Sequence, residues 1–275
     1  MERGLGRIGL LAALVPWAGL LSACMALSGC ATTGGGDAAR SSDIPTEFDE
    51  TDARRRARIR MELAVGYFEQ GKTTVALDEL KQVLAADPTF PDAYNLRGLV
   101  YMRLNDYPQA EESFRRAVAL NPRDSGAMHN LAWMYCQQRR FADADKTFDQ
   151  ALANPGYGDV AKTLMAKGLC QSSAGKPAEA EKTLARAYEL DAGNPIVGYN
   201  LATLLYARGD YQRSQFLIRR INNSQLANAE TLWLGVKVER KLGDRLAAAQ
   251  LADQMRRRFP QSREVTAYDR GAFDE

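Results

Sequence analysis

The chain has 275 residues, 45% of them apolar and 25% charged, which excludes wholesale disorder and a collagen-like chain. Lys plus Arg total 36 and Asp plus Glu 34, a net charge of +2 that offers phosphate no strong attraction, so no nucleic-acid partner is expected. One histidine, His129, rules out multi-histidine metal sites, and four cysteines are too few for a disulfide-built scaffold of this length.

The chain opens with Arg3 and Arg7, an apolar run from Ile8 to Leu21, and small residues down to Cys30. That order reads as a secretory signal, residues 1–29, to be set aside from the fold. Leu27-Ser28-Gly29-Cys30 resembles a bacterial lipobox, and Leu21-Ser22-Ala23-Cys24 fits the same pattern upstream. The resemblance implies cleavage before a cysteine that carries a diacylglycerol on sulfur and an acyl group on its new amine. Cys30 is preferred, with Cys24 as the alternative, because Ala31-Thr32-Thr33-Gly34-Gly35-Gly36 reads as a flexible lead. An uncleaved anchor competes, since the run to Leu27 approaches the length that spans a bilayer. One acyl chain binds a membrane with only about 10⁴ M⁻¹, whereas two or more anchor stably. Neither cysteine is followed by Asp, so the resemblance implies the outer membrane, facing the periplasm, through covalent lipid. Residues 30–52 read as a flexible tether, reaching on the order of 25 Å as a random coil.

From residue 57 the chain repeats itself. A small residue followed by an apolar one four positions on occurs at Ala76/Leu80, Ala110/Phe114, Ala144/Phe148, Ala180/Leu184, Ser214/Ile218 and Ala248/Ala252. Turn residues five before them read Gly71, Asn105, Arg139, Gly175, Gly209 and Gly243; large residues nine before them begin Tyr67, Tyr101 and Tyr135. The unit starts are 57, 91, 125, 161, 195 and 229, spaced by 34 except for one interval of 36 at Asn154–Gly158, which reads as a longer loop. Each unit predicts two helices broken at a turn where a left-handed residue ends the first. Asp87-Pro88 and Asn121-Pro122 end second helices.

The second unit, with Tyr94, Gly98, Tyr101, Tyr107, Ala110, Phe114, Ala117 and Pro122, most closely resembles the tetratricopeptide repeat. The resemblance implies an all-α, right-handed superhelical solenoid of six helix-turn-helix repeats over residues 53–262. The short polar tail, 263–275, is expected to cap its end. The last two repeats fit less well, with Ser214 for the small alanine and Glu239 for the tyrosine.

Chemistry is sparse. Gly71-Lys72-Thr73-Thr74 has the ending of a phosphate-binding loop but lacks the upstream glycine and sits between helices. Arg54-Arg55-Arg56 and Arg256-Arg257-Arg258 read as solvated helix ends. No catalytic residue, metal or cofactor is expected. Cys136 and Cys170 fall 34 apart on first helices of adjacent repeats, either as a disulfide, which a periplasmic site permits, or as two small buried hydrophobes.

Stacked repeats place their first helices along the inner face, and positions stepping by three or four share one side of a helix. That face gives Met61, Val65 and Phe68; Asn95, Leu99 and Met102; His129 and Trp133; Met165 and Leu169; and Tyr199 and Tyr206. An apolar strip of this kind is a groove for a peptide or an amphipathic helix.

The layout of lipobox, short tether and six repeats resembles the type IV pilus biogenesis lipoproteins, the secretin pilotins of PilF/PilW type. Local strings are similar too, as in His129–Cys136 and Leu232–Lys237. The resemblance implies a non-enzymatic outer-membrane lipoprotein that binds secretin subunits and supports their localisation and assembly. A different envelope scaffold, such as an outer-membrane protein assembly lipoprotein, is the alternative.

Overall fold

The structure, a computed structural model, describes residues 51–273; the signal, both candidate lipidation cysteines and nearly all of the tether lie outside them. Among the described residues there are thirteen helices and no strand. Six antiparallel pairs follow in order: α1 (Asp52–Glu69) with α2 (Thr73–Ala86), α3 (Pro91–Arg103) with α4 (Tyr107–Leu120), and α5 (Ser125–Gln137) with α6 (Phe141–Leu152). Then come α7 (Val160–Ser173) with α8 (Pro177–Leu190), α9 (Pro195–Arg208) with α10 (Tyr211–Asn222), and α11 (Ala229–Leu242) with α12 (Arg245–Arg258). A short α13 (Arg263–Asp269) closes the stack.

The helices begin and end where backbone chemistry asks them to. Asp106, Asp124, Asp210 and Asp244 each accept a backbone N–H three residues on, satisfying a donor that the first helical turn leaves orphaned. α1 starts at Asp52 rather than at the repeat start, because the Thr51 hydroxyl accepts from the Arg54 N–H. All six turn positions read from the repeat have positive φ, including the two that are not glycine: Asn105 and Arg139, both at 60°. The turn requires the left-handed conformation whatever residue occupies it, and non-glycine residues adopt it at a steric penalty.

Within each pair the small residue lets the helices close. Ala76, Ala110, Ala144 and Ala180 are fully buried. Gly98 marks the tightest approach, since a Cβ there would lie 2.5 Å from the Phe114 ring. Departures from the pattern are compensated. Ser214 is buried and donates its hydroxyl proton to the Ala202 carbonyl at 2.8 Å. Glu239, 1% exposed where other repeats place a large neutral residue, receives two N–H groups of Arg219 at 2.7 and 3.0 Å and the Gln215 amide at 2.7 Å. A buried carboxylate is tolerable only when paired in this way.

Neighbouring odd-numbered helices touch along most of the stack, as α1 does α3 and α11 does α13, whereas neighbouring even-numbered helices do not. The stack therefore bends toward its odd-numbered row, which lines the inner face. Repetition of one such unit buries a continuous core that no unit closes alone. At the far end Tyr268 and Phe273 pack on Trp233, with ring centroids 6.3 and 5.3 Å away, so the tail expected to be polar carries an aromatic plug.

Candidate functional site

The inner face is built by the first helix of each pair. Met61 and Phe68 on α1 are half-buried against the first core cluster, and Val65 between them is exposed. Arg103 covers Phe68, its guanidinium carbon 3.9 Å from the ring centroid, while its Nη1 donates to the Phe68 carbonyl at 2.6 Å. Leu99, Met102 and Trp133 form the half-buried margin of the second cluster, and Met165, Tyr199 and Tyr206 that of the third. Leu169 is half-buried on α7. Asn130 donates its amide to the Asn95 side-chain carbonyl at 3.0 Å, tying α5 to α3 across this face. The strip from Met61 to Met165 thus combines core packing on one side with partial exposure on the other.

His129 departs from the expectation of a groove-lining residue. It is 8% exposed, and its Nδ1 hydrogen-bonds the Thr163 hydroxyl at 2.8 Å. The same hydroxyl bonds the Tyr157 phenol at 2.7 Å. Tyr157 comes from the longer loop between the third and fourth pairs, so the extra residues of that interval bring in a phenol that shares the Thr163 hydroxyl with the imidazole. Burial, and then the charge of Lys162, push the His129 pKa down to about 4, so the ring is neutral near pH 7 and packs edge-on to Phe148.

Cys136 and Cys170 are joined by a disulfide with Cα atoms 5.8 Å apart. Of the two readings of this pair, the structure holds the bridge, linking α5 to α7.

At the far end of the inner face Lys237 and Arg240 stand on α11, and α13, a helix within what the sequence presents as a polar tail, adds Arg263 and Arg270. The signal was present: continuing the period of 34 from 229 reaches 263, and Ser262 is the helix-capping residue there. Among the described residues no cluster of His, Cys, Asp and Glu is arranged to hold a metal ion. No described helix is long and apolar enough to cross a membrane.

Two sequence profiles, each described as a tetratricopeptide repeat, match residues 61–125 and residues 101–167 with 172–231. The chain is similar to the type IV pilus assembly protein PilF of Pseudomonas aeruginosa, 27% identical over 243 residues, covering 88% of this chain and 93% of PilF. The solved structure of P. aeruginosa PilF superposes with a TM-score of 0.73 at 24% identity, over 80% of this chain and all of that one. That of PilW, described as a widely conserved type IV pilus biogenesis factor, gives 0.69 at 27% identity over 77% and 97% of the two chains. The profile matches span more than half of the residues, and the same helix pair recurs throughout the described chain. The chain therefore belongs to the tetratricopeptide repeat family and is similar to the pilus proteins PilF and PilW.

Proposed function

We propose that this chain is a non-enzymatic lipoprotein scaffold of the outer membrane, which binds secretin subunits on its inner face and supports their localisation and assembly in type IV pilus biogenesis. The observation that carries the reading is end-to-end similarity to PilF, covering 88% of this chain and 93% of that protein. The half-exposed strip of Met61, Leu99, Met102, Trp133 and Met165 supports it, because methionine and aromatic side chains repack around varied apolar surfaces. The lipobox ending at Cys30 supports the anchor.

The mechanism is capture by proximity. Acyl chains on Cys30 hold the scaffold at the bilayer, and a client segment bound to the groove is kept at a raised effective concentration there, with no bond made or broken. Two experiments test this. Cys30→Ala should leave a folded protein that fractionates away from the outer membrane; retention there removes the anchor, unless the added change Cys24→Ala releases it. Pull-down from detergent-solubilised envelopes should recover secretin subunits with the full chain and lose them with Leu99→Glu and Met102→Glu. Recovery of a different envelope protein through the same residues would replace the secretin assignment and leave the scaffold reading in place.

A further inference from the structure

The outer row of helices changes character along the stack. α2, α4, α6 and α8 together carry ten acids and six bases, whereas α10 and α12 carry seven arginines and one acid, Asp253. The apolar pattern breaks on the same two helices. Leu246 on α12 and Phe216 on α10 are the most exposed large apolar side chains among the described residues, at 71% and 69%. The repeat position of Phe216 holds Asp78, Glu112, Lys146 and Lys182 in the four preceding pairs, so this outward position is polar until α10. Leu246 stands one turn ahead of that position, on the same stripe of its helix.

Acids face these two helices from every neighbouring element. Glu239 on α11 and Asp244 in the turn before α12 hold Arg219, Asp210 and Glu181 lie beside Arg213, and Asp253 and Asp269 lie beside Arg256. Glu189 is exposed on α8, and Glu179 pairs with Lys176 at the start of that helix. Leaving out that last pair, seven acids meet ten cations: the seven arginines, Lys182, Arg186 and Arg208. Asp274 and Glu275 lie outside the described residues; they follow Phe273, which packs on Trp233 in the inner row, and counting them as well leaves the balance positive. Arg220, Arg245 and Arg257 are exposed and have no carboxylate partner among the described residues. Arg220 donates to the Tyr188 phenol at 3.3 Å, and Arg258 to the Ala227 carbonyl at 3.0 Å.

We propose that the outer face of α10 and α12 lies on an anionic lipid surface, with Leu246 and Phe216 dipping among the headgroups. Separate apolar knobs on a convex row find their complement in a medium that yields around them, whereas an acidic protein would need a cavity for each. Near a negatively charged leaflet each arginine strengthens attraction by roughly fivefold, within about 10 Å of the surface at ordinary salt. Apolar side chains that leave water on contact add to that attraction. The inference rests on the lipid-anchored reading above, which brings a bilayer within reach of the tether, and it gives the anchored scaffold an orientation. The outer row of the last two pairs meets the bilayer, and the inner face is turned away from it toward the client.

The test uses the full, lipidated chain in vesicles of phosphatidylcholine, alone or mixed with phosphatidylglycerol, with acyl chains brominated to quench tryptophan. Leu246→Trp reports on the proposed contact, and Lys146→Trp, at the repeat position of Phe216 but on α6, is its control. Corrected for the tryptophans of the unaltered chain, the Leu246→Trp signal should be quenched about threefold more in anionic than in neutral vesicles, the difference fading as salt rises. Adding Arg220→Glu, Arg245→Glu and Arg257→Glu should remove that difference while the chain still floats with the vesicles. Lys146→Trp should stay unquenched in both. Equal quenching of the Leu246→Trp signal in the two kinds of vesicle, or none in either, would overturn the anionic contact and leave the anchor standing. Equal quenching of both reporters in anionic vesicles would overturn the assignment to the last two pairs. A chain that fails to float with neutral vesicles would remove the anchor reading, and quenching in anionic vesicles would then decide the surface by itself.

Discussion

Between the third and fourth helix pairs, Cys136 is bridged to Cys170, His129 and Tyr157 share the Thr163 hydroxyl, and Lys167 donates to Asp149 at 2.5 Å. Between the fourth and fifth pairs the corresponding positions hold Ser172 for Cys136, Leu204 for Cys170, Leu201 for Lys167 and Ala185 for Asp149. The outcome differs in proportion. The hollow between α6 and α7 beside Cys170 is about 110 Å³, whereas that between α8 and α9 is about 600 Å³, lined by Ala178, Ala185, Leu204 and Ala207. The looser junction is spanned by buried apolar contacts of Leu184 and Ala187 with Val197, Leu201 and Leu205 and, at its surface, by the Arg208–Glu181 ion pair at 2.9 Å, half-exposed and so worth little. Both junctions join helix pairs of one design. The residues that define the repeat therefore set the pair, and the residues between those positions set how firmly one pair is held to the next.

Breaking the bridge should test that contrast most strongly. Cys136→Ala with Cys170→Ala should lower stability by about 3–4 kcal/mol, the value for releasing a closed loop of this length. The urea midpoint should fall accordingly, and dithiothreitol should mimic the change in the unaltered chain. A midpoint insensitive to reductant would mean that the tight junction owes its firmness to packing alone.

Acid should act on the same junction. The folded-state pKa of His129 is about 4, below the ordinary value of 6.5, so the fold binds fewer protons than the unfolded chain between those values. The stability is complete above pH 6.5 and declines as pH falls toward about 4, by on the order of 3 kcal/mol. His129→Gln should flatten the denaturant midpoint across that window relative to the unaltered chain. An equal decline in the variant would assign the acid sensitivity to other groups.

The looser junction should respond to filling. Ala185→Leu places apolar volume in the hollow between α8 and α9 and should stabilise by about 1 kcal/mol, read as a raised thermal midpoint. Hydrogen exchange should slow in α8 to α10 and stay unchanged in α5 and α6; slowing everywhere would show that the junctions are not independent. The smallest expected effect lies in a turn. Arg139 holds a φ of 60° with an exposed side chain, and Arg139→Gly should relieve strain of up to about 1 kcal/mol, part of it offset by the freer unfolded chain.

Much of the fold was legible because tetratricopeptide pairing is written locally. A small residue at Ala76, an apolar one at Leu80 and a turn at Gly71 describe contacts within one helix pair, and recurrence supplies the rest. The weak fifth and sixth repeats were legible as departures but not as compensations. The Glu239 carboxylate is acceptable only because Arg219 and Gln215 arrive from the preceding pair. The groove was legible as a face and not as a surface. His129 shares that face with Trp133, yet the first is buried against Thr163 and Phe148 while the second is half-exposed.

By itself the sequence determined the helix-pair period and the turn positions, Asn105 and Arg139 among them. Only the tertiary structure decided that His129 is buried, that Cys136 meets Cys170, and that α13 plugs the end with Tyr268 and Phe273. The physical reason is range. Period and turn chemistry act between residues a few positions apart or in one pair. Exposure depends on how far each pair leans on the next, and that is set by single side chains meeting across the stack.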